Sequence, residues 1–326
     1  MKIAVLTSGG DSPAMNAAIR AITRVGINRN CRVFGVFGGF QGILDENIHE
    51  LNSRSVSRIL HRGGTILTTG RSEEFKTQKG QKKASKILTD RGFDALIAIG
   101  GDGTMRGLDA FSKHWKGWSI GLPGTIDNDL YGTDYTIGFD TAVNNALEAL
   151  DKIRDTAQSF QRIFLVEVMG RHAGFIAFHV GFATGASAIL MPETKTTIEE
   201  LAEKVTKAKD KAKSSVLVVV AEGDELGNAE KIGKELSKRV GEKCRVSVLG
   251  YIQRGGNPTH FDRILATRLG AFAIECLQGG EHGGLVGEVN GELIMTPFQE
   301  TWKNRKPLDQ WMLGLLDELS GCISAD

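Results

Sequence analysis

Short apolar runs alternate along this chain with segments in which apolar residues recur every third or fourth position. Ile3 to Thr7, Arg32 to Phe37, Leu96 to Ile99, a run ending at Leu122, Ile163 to Val168, Ala188 to Met191, Val216 to Val220 and Val246 to Leu249 predict strands. Helical spacing is carried by Ala17, Ala18, Ile19, Ile22 and Val25, then by Val143, Ala146, Leu147, Leu150 and Ile153. It returns in Leu201, Val205 and Ala208 and in a long stretch from about Phe261 to Leu277. Strand and helix in alternation predict an α/β fold with largely parallel sheets. Val216 to Val220 is apolar at every position, as a strand covered on both faces requires. Asp140 or Thr141 is the expected cap of one helix, and Thr197 with Glu200 reads as a capping box for another. Val286 to Met295 around Asn290-Gly291 predicts a peripheral hairpin, and Leu313, Leu315 and Leu316 a short terminal helix.

Two of the strand ends share a pattern. Ile3 to Thr7 runs into Ser8, Gly9, Gly10 and Asp11, and Leu96 to Ile99 runs into Gly100, Gly101, Asp102, Gly103 and Thr104; a helix follows each. Unpaired amides at such a turn, with the helix macrodipole behind them, suit a phosphate. Asp102 places a carboxylate where bare phosphate would repel it, and a divalent metal between the two reconciles them. Mg²⁺ is usually held by one or two carboxylates plus substrate phosphates. The loop after Leu122 adds Asp127 and Asp129, so one carboxylate can serve the metal and another a proton. Two such loops at the carboxyl ends of strands in one sheet would flank a single crevice.

Composition narrows the field. A chain of 326 residues with 41% hydrophobic content can bury a large core, and its size fits two domains. A net charge of +1 argues against nucleic acid or membrane as the main partner. Gly174 to Met191 carries no Asp, Glu, Lys or Arg, but with three glycines, His179, Thr184 and Ser187 it is too polar and slightly short for a membrane span, so it predicts a buried helix and strand. The four cysteines, Cys31, Cys244, Cys276 and Cys322, show no C-x-x-C spacing, which fits a reduced cytosolic compartment. The chain starts a strand almost at once, which leaves no room for a signal peptide.

Other strand ends bring cations. Arg71 stands beside glycine and threonine, apart from the lysine run of Lys76, Lys79, Lys82, Lys83 and Lys86, which reads as a solvated face. Arg171 follows Met169-Gly170, and a guanidinium fork matches phosphate oxygens. Glu222 closes Val216 to Val220, where a carboxylate suits sugar hydroxyls or a local cap. Glycine turns, aspartates and strand-end arginines together supply what Mg²⁺-dependent phosphoryl transfer needs. Neither a G-x-x-x-x-G-K-[ST] loop nor a G-x-G-x-x-G fingerprint is present.

Leu6 to Asp11, Gly100 to Gly103, Pro123-Gly124-Thr125-Ile126-Asp127-Asn128-Asp129, Glu167 to Arg171 and Leu249 to Gly256 closely resemble the bacterial ATP-dependent 6-phosphofructokinases. The resemblance runs in order to about Glu275. It implies two Rossmann-like three-layer α/β/α domains. Residues 1–138 plus 253–303 would form a larger ATP-binding domain, and 139–252 plus 304–326 a smaller domain for fructose 6-phosphate. It implies γ-phosphoryl transfer from MgATP to the 1-hydroxyl of fructose 6-phosphate, in glycolysis and in the cytoplasm.

By the same resemblance Asp127 is the general base, and Arg71, Thr125 and Arg171 surround the transferring group. Gly10, Arg71, Ser72, Gly101, Asp102, Gly103 and Thr104 meet the nucleotide, and Asp102 with Asp129 meets Mg²⁺. Thr125, Ile126, Asp127, Met169, Gly170, Arg171, Glu222 and Tyr251 meet the sugar. Arg162, Arg245 and Arg254 match the 6-phosphate cluster, the first two reaching across a subunit interface, which implies a homotetramer. Arg20, Arg24, Arg154, Gly185, Lys211 and Lys213 match an effector site for ADP or phosphoenolpyruvate, also at an interface.

Tyr251 departs from the family's usual histidine. Ser187, Ser215 and Ser53 depart from an acid, a histidine and an arginine at the effector site. Gly103 and Gly124 favour ATP, because the pyrophosphate-dependent relatives typically carry aspartate and lysine at these two places. A pyrophosphate donor, and a catalytically silent nucleotide or sugar-phosphate sensor, are the alternative readings. NAD and diacylglycerol kinases share GGDGT, but TIDND, MGR and QRGG are not expected in them.

Overall fold

The computed structural model describes residues 1–210 and 215–319; Lys211, Lys213 and Cys322 lie outside the described residues. The chain opens with β1 (Lys2–Ser8), α1 (Met15–Asn28), β2 (Arg32–Val36), α2 (Phe40–Leu44), β3 (Ile48–Leu51), α3 (Gln78–Asp90), β4 (Ala95–Gly100), α4 (Asp102–Ser112) and β5 (Trp118–Pro123). It continues through α5 (Phe139–Phe160), β6 (Ile163–Val168), α6 (Phe175–Thr184), β7 (Ala188–Leu190), α7 (Ile198–Asp210), β8 (Val216–Ala221), α8 (Ala229–Val240) and β9 (Arg245–Val248). After a 3-10 turn, Gly250–Arg254, come α9 (His260–Gly279), β10 (Gly284–Val289), β11 (Glu292–Pro297), α10 (Phe298–Lys303) and α11 (Gln310–Leu319). Two compact units result: Met1–Thr141 with Arg254–Lys306, and Ala142–Gln253 with the described residues from Pro307 on.

The first unit is built on a seven-stranded sheet in the order β11-β10-β5-β4-β1-β2-β3. Its five inner strands are parallel, and β3 and β11 close the edges antiparallel. Because side chains alternate along a strand, Ile3, Val5 and Ile97 face one core with Ile19 and Ile22 of α1 and Leu269 and Ile274 of α9. Ala4, Leu6 and Leu96 face the other, with Leu88 of α3 and Leu108 and Phe111 of α4. Helices therefore cover both faces in three layers.

The second unit holds a four-stranded parallel sheet, β7-β8-β6-β9, in which the all-apolar β8 is interior and fully buried. Ile163, Leu165, Val218 and Val220 pack against Leu201 and Val205 of α7 and Ile232 and Leu236 of α8. The capping box forms reciprocally: Thr197 N donates to Glu200 Oε2 at 2.7 Å, and Glu200 N to Thr197 Oγ1 at 3.2 Å.

Two local expectations change. The hairpin is not peripheral, because β10 pairs parallel with β5 and its Leu285 and Val286 enter the core. Helix α5 begins at Phe139 and is capped from outside, by Asp262 of α9, rather than by Asp140 or Thr141. Between Gly38 and Leu51 the glycine-rich stretch holds α2 and β3, which periodicity over so few residues does not reveal.

Candidate active site

The two glycine-aspartate turns stand side by side, since Ser8 at the end of β1 is registered with Gly100 at the end of β4. The turn after β1 is tied to the segment before Arg71: Gly9 N donates to Gly70 O at 3.3 Å, and Thr69 Oγ1 donates to Gly9 O at 3.0 Å. Arg71, which is exposed, directly follows this tie to Gly9. Ser72 is buried and its hydroxyl is used locally, donating to Gln41 Oε1 at 2.7 Å and accepting from Phe75 N at 3.1 Å. Thr104 is also buried and donates to Ser8 O at 3.3 Å, so it joins the two turns. Gly101 caps α4 in extended conformation, and a Cβ there would stand 3.4 Å from Thr125 Cβ. Asp102, half-buried in the first turn of α4, accepts from Arg106 Nε at 2.8 Å. A Cβ on Gly103 would meet nothing within 4 Å.

The loop after β5 is pinned to the segment before α5. Ile137 N donates to Pro123 O at 2.7 Å, and Thr136 Oγ1 to Thr125 O at 2.6 Å. Asn128, with φ of 54°, makes the left-handed turn that separates the two aspartates, and its Oδ1 accepts from Thr136 N at 2.9 Å. Asp127 is buried and Asp129 exposed, so the same short loop gives its carboxylates different environments. Asp127 N donates to Thr125 Oγ1 at 3.2 Å. Ile126, predicted to meet the sugar, is fully buried. Lys306 donates to Asp134 O, and its charge is attracted to Asp134 and Asp129. Burial outweighs that attraction and pulls the ammonium pKa down to about 8.

In the second unit the end of β6 carries Met169, Gly170 and Arg171. Gly170 has φ of 141° and Arg171 φ of 53°, two successive residues in a region that disfavours side chains. Neighbours enforce the turn. Arg171 N donates to Glu222 Oε1 at 2.7 Å, Ala173 N to Gly170 O at 2.9 Å, and Gly174 N to Glu193 Oε1 at 2.8 Å. Met169 N donates to Oε1 of the buried Gln253 at 3.2 Å, and Gln253 Nε2 donates to Gly250 O at 3.0 Å. Arg162 lies half-buried with its guanidinium 4.4 Å from the Phe160 ring centroid. Arg245 opens the edge strand β9, and Tyr251 is 83% exposed.

Of the predicted effector residues, Arg20 and Arg24 lie one turn apart on α1, and Arg24 Nη2 donates to Ser53 O at 3.4 Å. Burial, with Arg24 adding repulsion, lowers the Arg20 pKa. Arg154 of α5 donates to Thr184 O, next to Gly185 at the end of α6.

Arg254, grouped by resemblance with Arg162 and Arg245, belongs to the first unit, where its Nη1 donates to Asp11 O at 2.7 Å. Gln253, Glu193, Lys306 and Asn128 were not singled out individually as site residues in the sequence. Gln253 and Asn128 sit inside the QRGG and TIDND motifs, which is the one signal that could have found them.

Among the described residues no group of three or more histidine, cysteine, aspartate or glutamate side chains could hold a metal ion. A single carboxylate at a helix N-terminus, Asp102, instead fits Mg²⁺ that arrives on phosphate oxygens.

The phosphofructokinase family model matches residues 2–277. The chain belongs to the phosphofructokinase family. It is 50% identical over 319 residues to ATP-dependent 6-phosphofructokinase 1 of Thermus thermophilus, covering 98% of this chain and 99% of that one. It is 49% identical over 322 residues to the ATP-dependent 6-phosphofructokinase of Staphylococcus epidermidis, with the same coverage. The solved phosphofructokinase of Saccharomyces cerevisiae superposes with a TM-score of 0.88 at 35% identity, covering 98% of this chain and 47% of that longer one. A pyrophosphate-dependent phosphofructokinase from Marinobacter aquaeolei, 22% identical over 98% of this chain and 91% of its own, shares the fold with a TM-score of 0.83. The phosphofructokinase fold is thus the two-unit α/β architecture described above.

Proposed function

We propose that this chain is an ATP-dependent 6-phosphofructokinase, transferring the γ-phosphoryl group of MgATP to the 1-hydroxyl of fructose 6-phosphate. The observation that carries the reading is 50% identity to a curated enzyme of that name along 98% of the chain. Residues 1–138 with 253–303 serve the nucleotide, and 139–252 with 304–326 the sugar phosphate.

Phosphoryl transfer asks a protein mainly for positioning and for charge where charge develops. Asp127 accepts the proton of the 1-hydroxyl as the new P–O bond forms and the bond to the bridging oxygen of ADP breaks. Thr125 Oγ1 accepts from the backbone N of Asp127 and so holds it. Arg71 and Arg171 present guanidinium forks to the equatorial oxygens. Gly10 and the amides at Gly101 to Thr104 receive the polyphosphate. Asp102, supported by Asp129, would hold Mg²⁺, which would neutralise charge on the phosphates.

Met169, Gly170, Glu222 and Tyr251 contact the sugar, and Arg162 and Arg245 its 6-phosphate, the last two from a neighbouring subunit of a homotetramer. Arg20, Arg24, Arg154, Gly185, Lys211 and Lys213 bind an anionic effector, with activation by MgADP weakened by Ser187, Ser215 and Ser53. The setting is the cytoplasm; among the described residues no helix is long and apolar enough to cross a membrane.

Formation of fructose 1,6-bisphosphate with Mg²⁺, compared between ATP and pyrophosphate and between the unaltered chain and Asp127→Ser, tests this reading. ATP-dependent turnover that collapses in the variant, by about 10² to 10⁴-fold, is expected. Turnover with pyrophosphate alone refutes the donor, and no turnover with either leaves a sensor.

A further inference from the structure

We propose that Arg254 is a positioning residue for the terminal phosphate of the nucleotide, a duty beyond contact with the sugar phosphate. The inference rests on reading the chain as an ATP-dependent kinase.

A turn that binds phosphate through its amides works against its own carbonyls, whose oxygens carry partial negative charge. Gly10 is flanked by two of them. Thr69 Oγ1 donates to Gly9 O at 3.0 Å, and Arg254 Nη1 donates to Asp11 O at 2.7 Å. Both flanking carbonyls are therefore held by donors, one neutral and one cationic.

The guanidinium also lies flush against Gly10. A Cβ at that position would stand 2.8 Å from Nη1, 3.1 Å from Cζ and 3.3 Å from Nη2 of Arg254. A side chain at position 10 would have to displace the guanidinium. A fixed positive charge stacked on this peptide favours an anion there, and a charge-assisted hydrogen bond is the stronger kind.

The segment carrying Arg254 is itself anchored. A Cβ on Gly63 would stand 2.5 Å from Gly256 O, so the two backbones touch. The buried Asn16 holds that partner loop, donating to Arg62 O at 3.1 Å and accepting from Ile66 N at 2.8 Å. Arg254 is consequently held by the scaffold of the first unit.

The test is equilibrium binding of the Mg²⁺ complex of an imido-bridged, non-hydrolysable ATP analogue, with no sugar phosphate present. The proteins compared are the unaltered chain, Arg254→Gln, Arg254→Lys and Thr69→Val. Arg254→Gln should weaken binding by about tenfold or more, as loss of a hydrogen bond to a charged group implies. Arg254→Lys, which restores charge without the fork, should recover part of that loss, and Thr69→Val should show a smaller loss. A melting midpoint within the unaltered range for Arg254→Lys separates positioning from folding. Unchanged analogue binding in Arg254→Gln, with only the KM for fructose 6-phosphate raised, would overturn the proposal. An unaltered chain that binds no analogue would instead refute the kinase reading beneath it.

Discussion

Thr141 and Asp262 cap each other's helices. Asp262 Oδ2, in the first turn of α9, accepts from Thr141 N of α5 at 2.8 Å, and its Oδ1 accepts from Gly138 N at 2.9 Å. In return Thr141 Oγ1 accepts from Thr259 N, the cap residue of α9, at 3.1 Å. The pair is buried and fixes where the loop carrying Asp127 ends and α5 begins.

Asp262→Ala would strand these donors away from water, at a cost of about 2 to 4 kcal/mol of stability. Calorimetric melting checks it. Burial pushes the Asp262 carboxyl up to about 6 from an ordinary 3.8, against the pull of its hydrogen-bond donors. The folded chain thus holds this proton more tightly than the unfolded one. The linked stability is fully present below 3.8 and is lost as pH rises through about 6. The stability gap between the unaltered chain and Asp262→Ala should therefore be larger near pH 5 than near pH 8.

Gly103 and Gly124 leave different room for a side chain. Gly103→Asp enters open space at a helix N-terminus, where a carboxylate is tolerated or favourable. A Cβ on Gly124 would stand 2.7 Å from Ile99 Cγ2 and 3.0 Å from Met15 Cε. Gly103→Asp should keep the melting midpoint and raise the KM for ATP about tenfold or more by opposing polyphosphate. Gly124→Lys should lose about 1 to 3 kcal/mol of stability through overpacking. Parallel melting curves and ATP saturation curves distinguish the two.

Gly223 protects the Arg171 turn. A Cβ there would stand 1.8 Å from Arg171 O, so Gly223→Ala must displace the backbone that aims Arg171. Misplacement of about 1 Å at such a group costs on the order of 10²-fold in rate. The expected result is a fall in kcat of that size with nucleotide-analogue binding intact; unchanged kcat would show that Arg171 is not positioned through this contact.

Tyr251 is exposed, and a phenol has no cationic form with which to meet a phosphate. If the proposed sugar-phosphate contact holds, Tyr251→His should lower the KM for fructose 6-phosphate by about two- to tenfold in mildly acidic buffer, where histidine carries charge. An unchanged KM removes the idea that tyrosine weakens phosphate affinity.

The sequence by itself determined the alternation of strands and helices, the interior character of β8, the capping box at Thr197 and Glu200, and the two glycine turns. These are legible because periodicity and capping are set by residues within one or two turns of each other. Only the tertiary structure decided that β10 extends the large sheet, that Asp262 caps α5, that Gln253 and Glu193 hold the two sides of the Gly170–Arg171 turn, and that Arg254 lies on Gly10. The Arg254–Asp11 bond joins residues 243 positions apart, and the Asp262–Thr141 bond residues 121 apart. No local pattern encodes such pairs, because packing of whole elements sets which strand end meets which helix start.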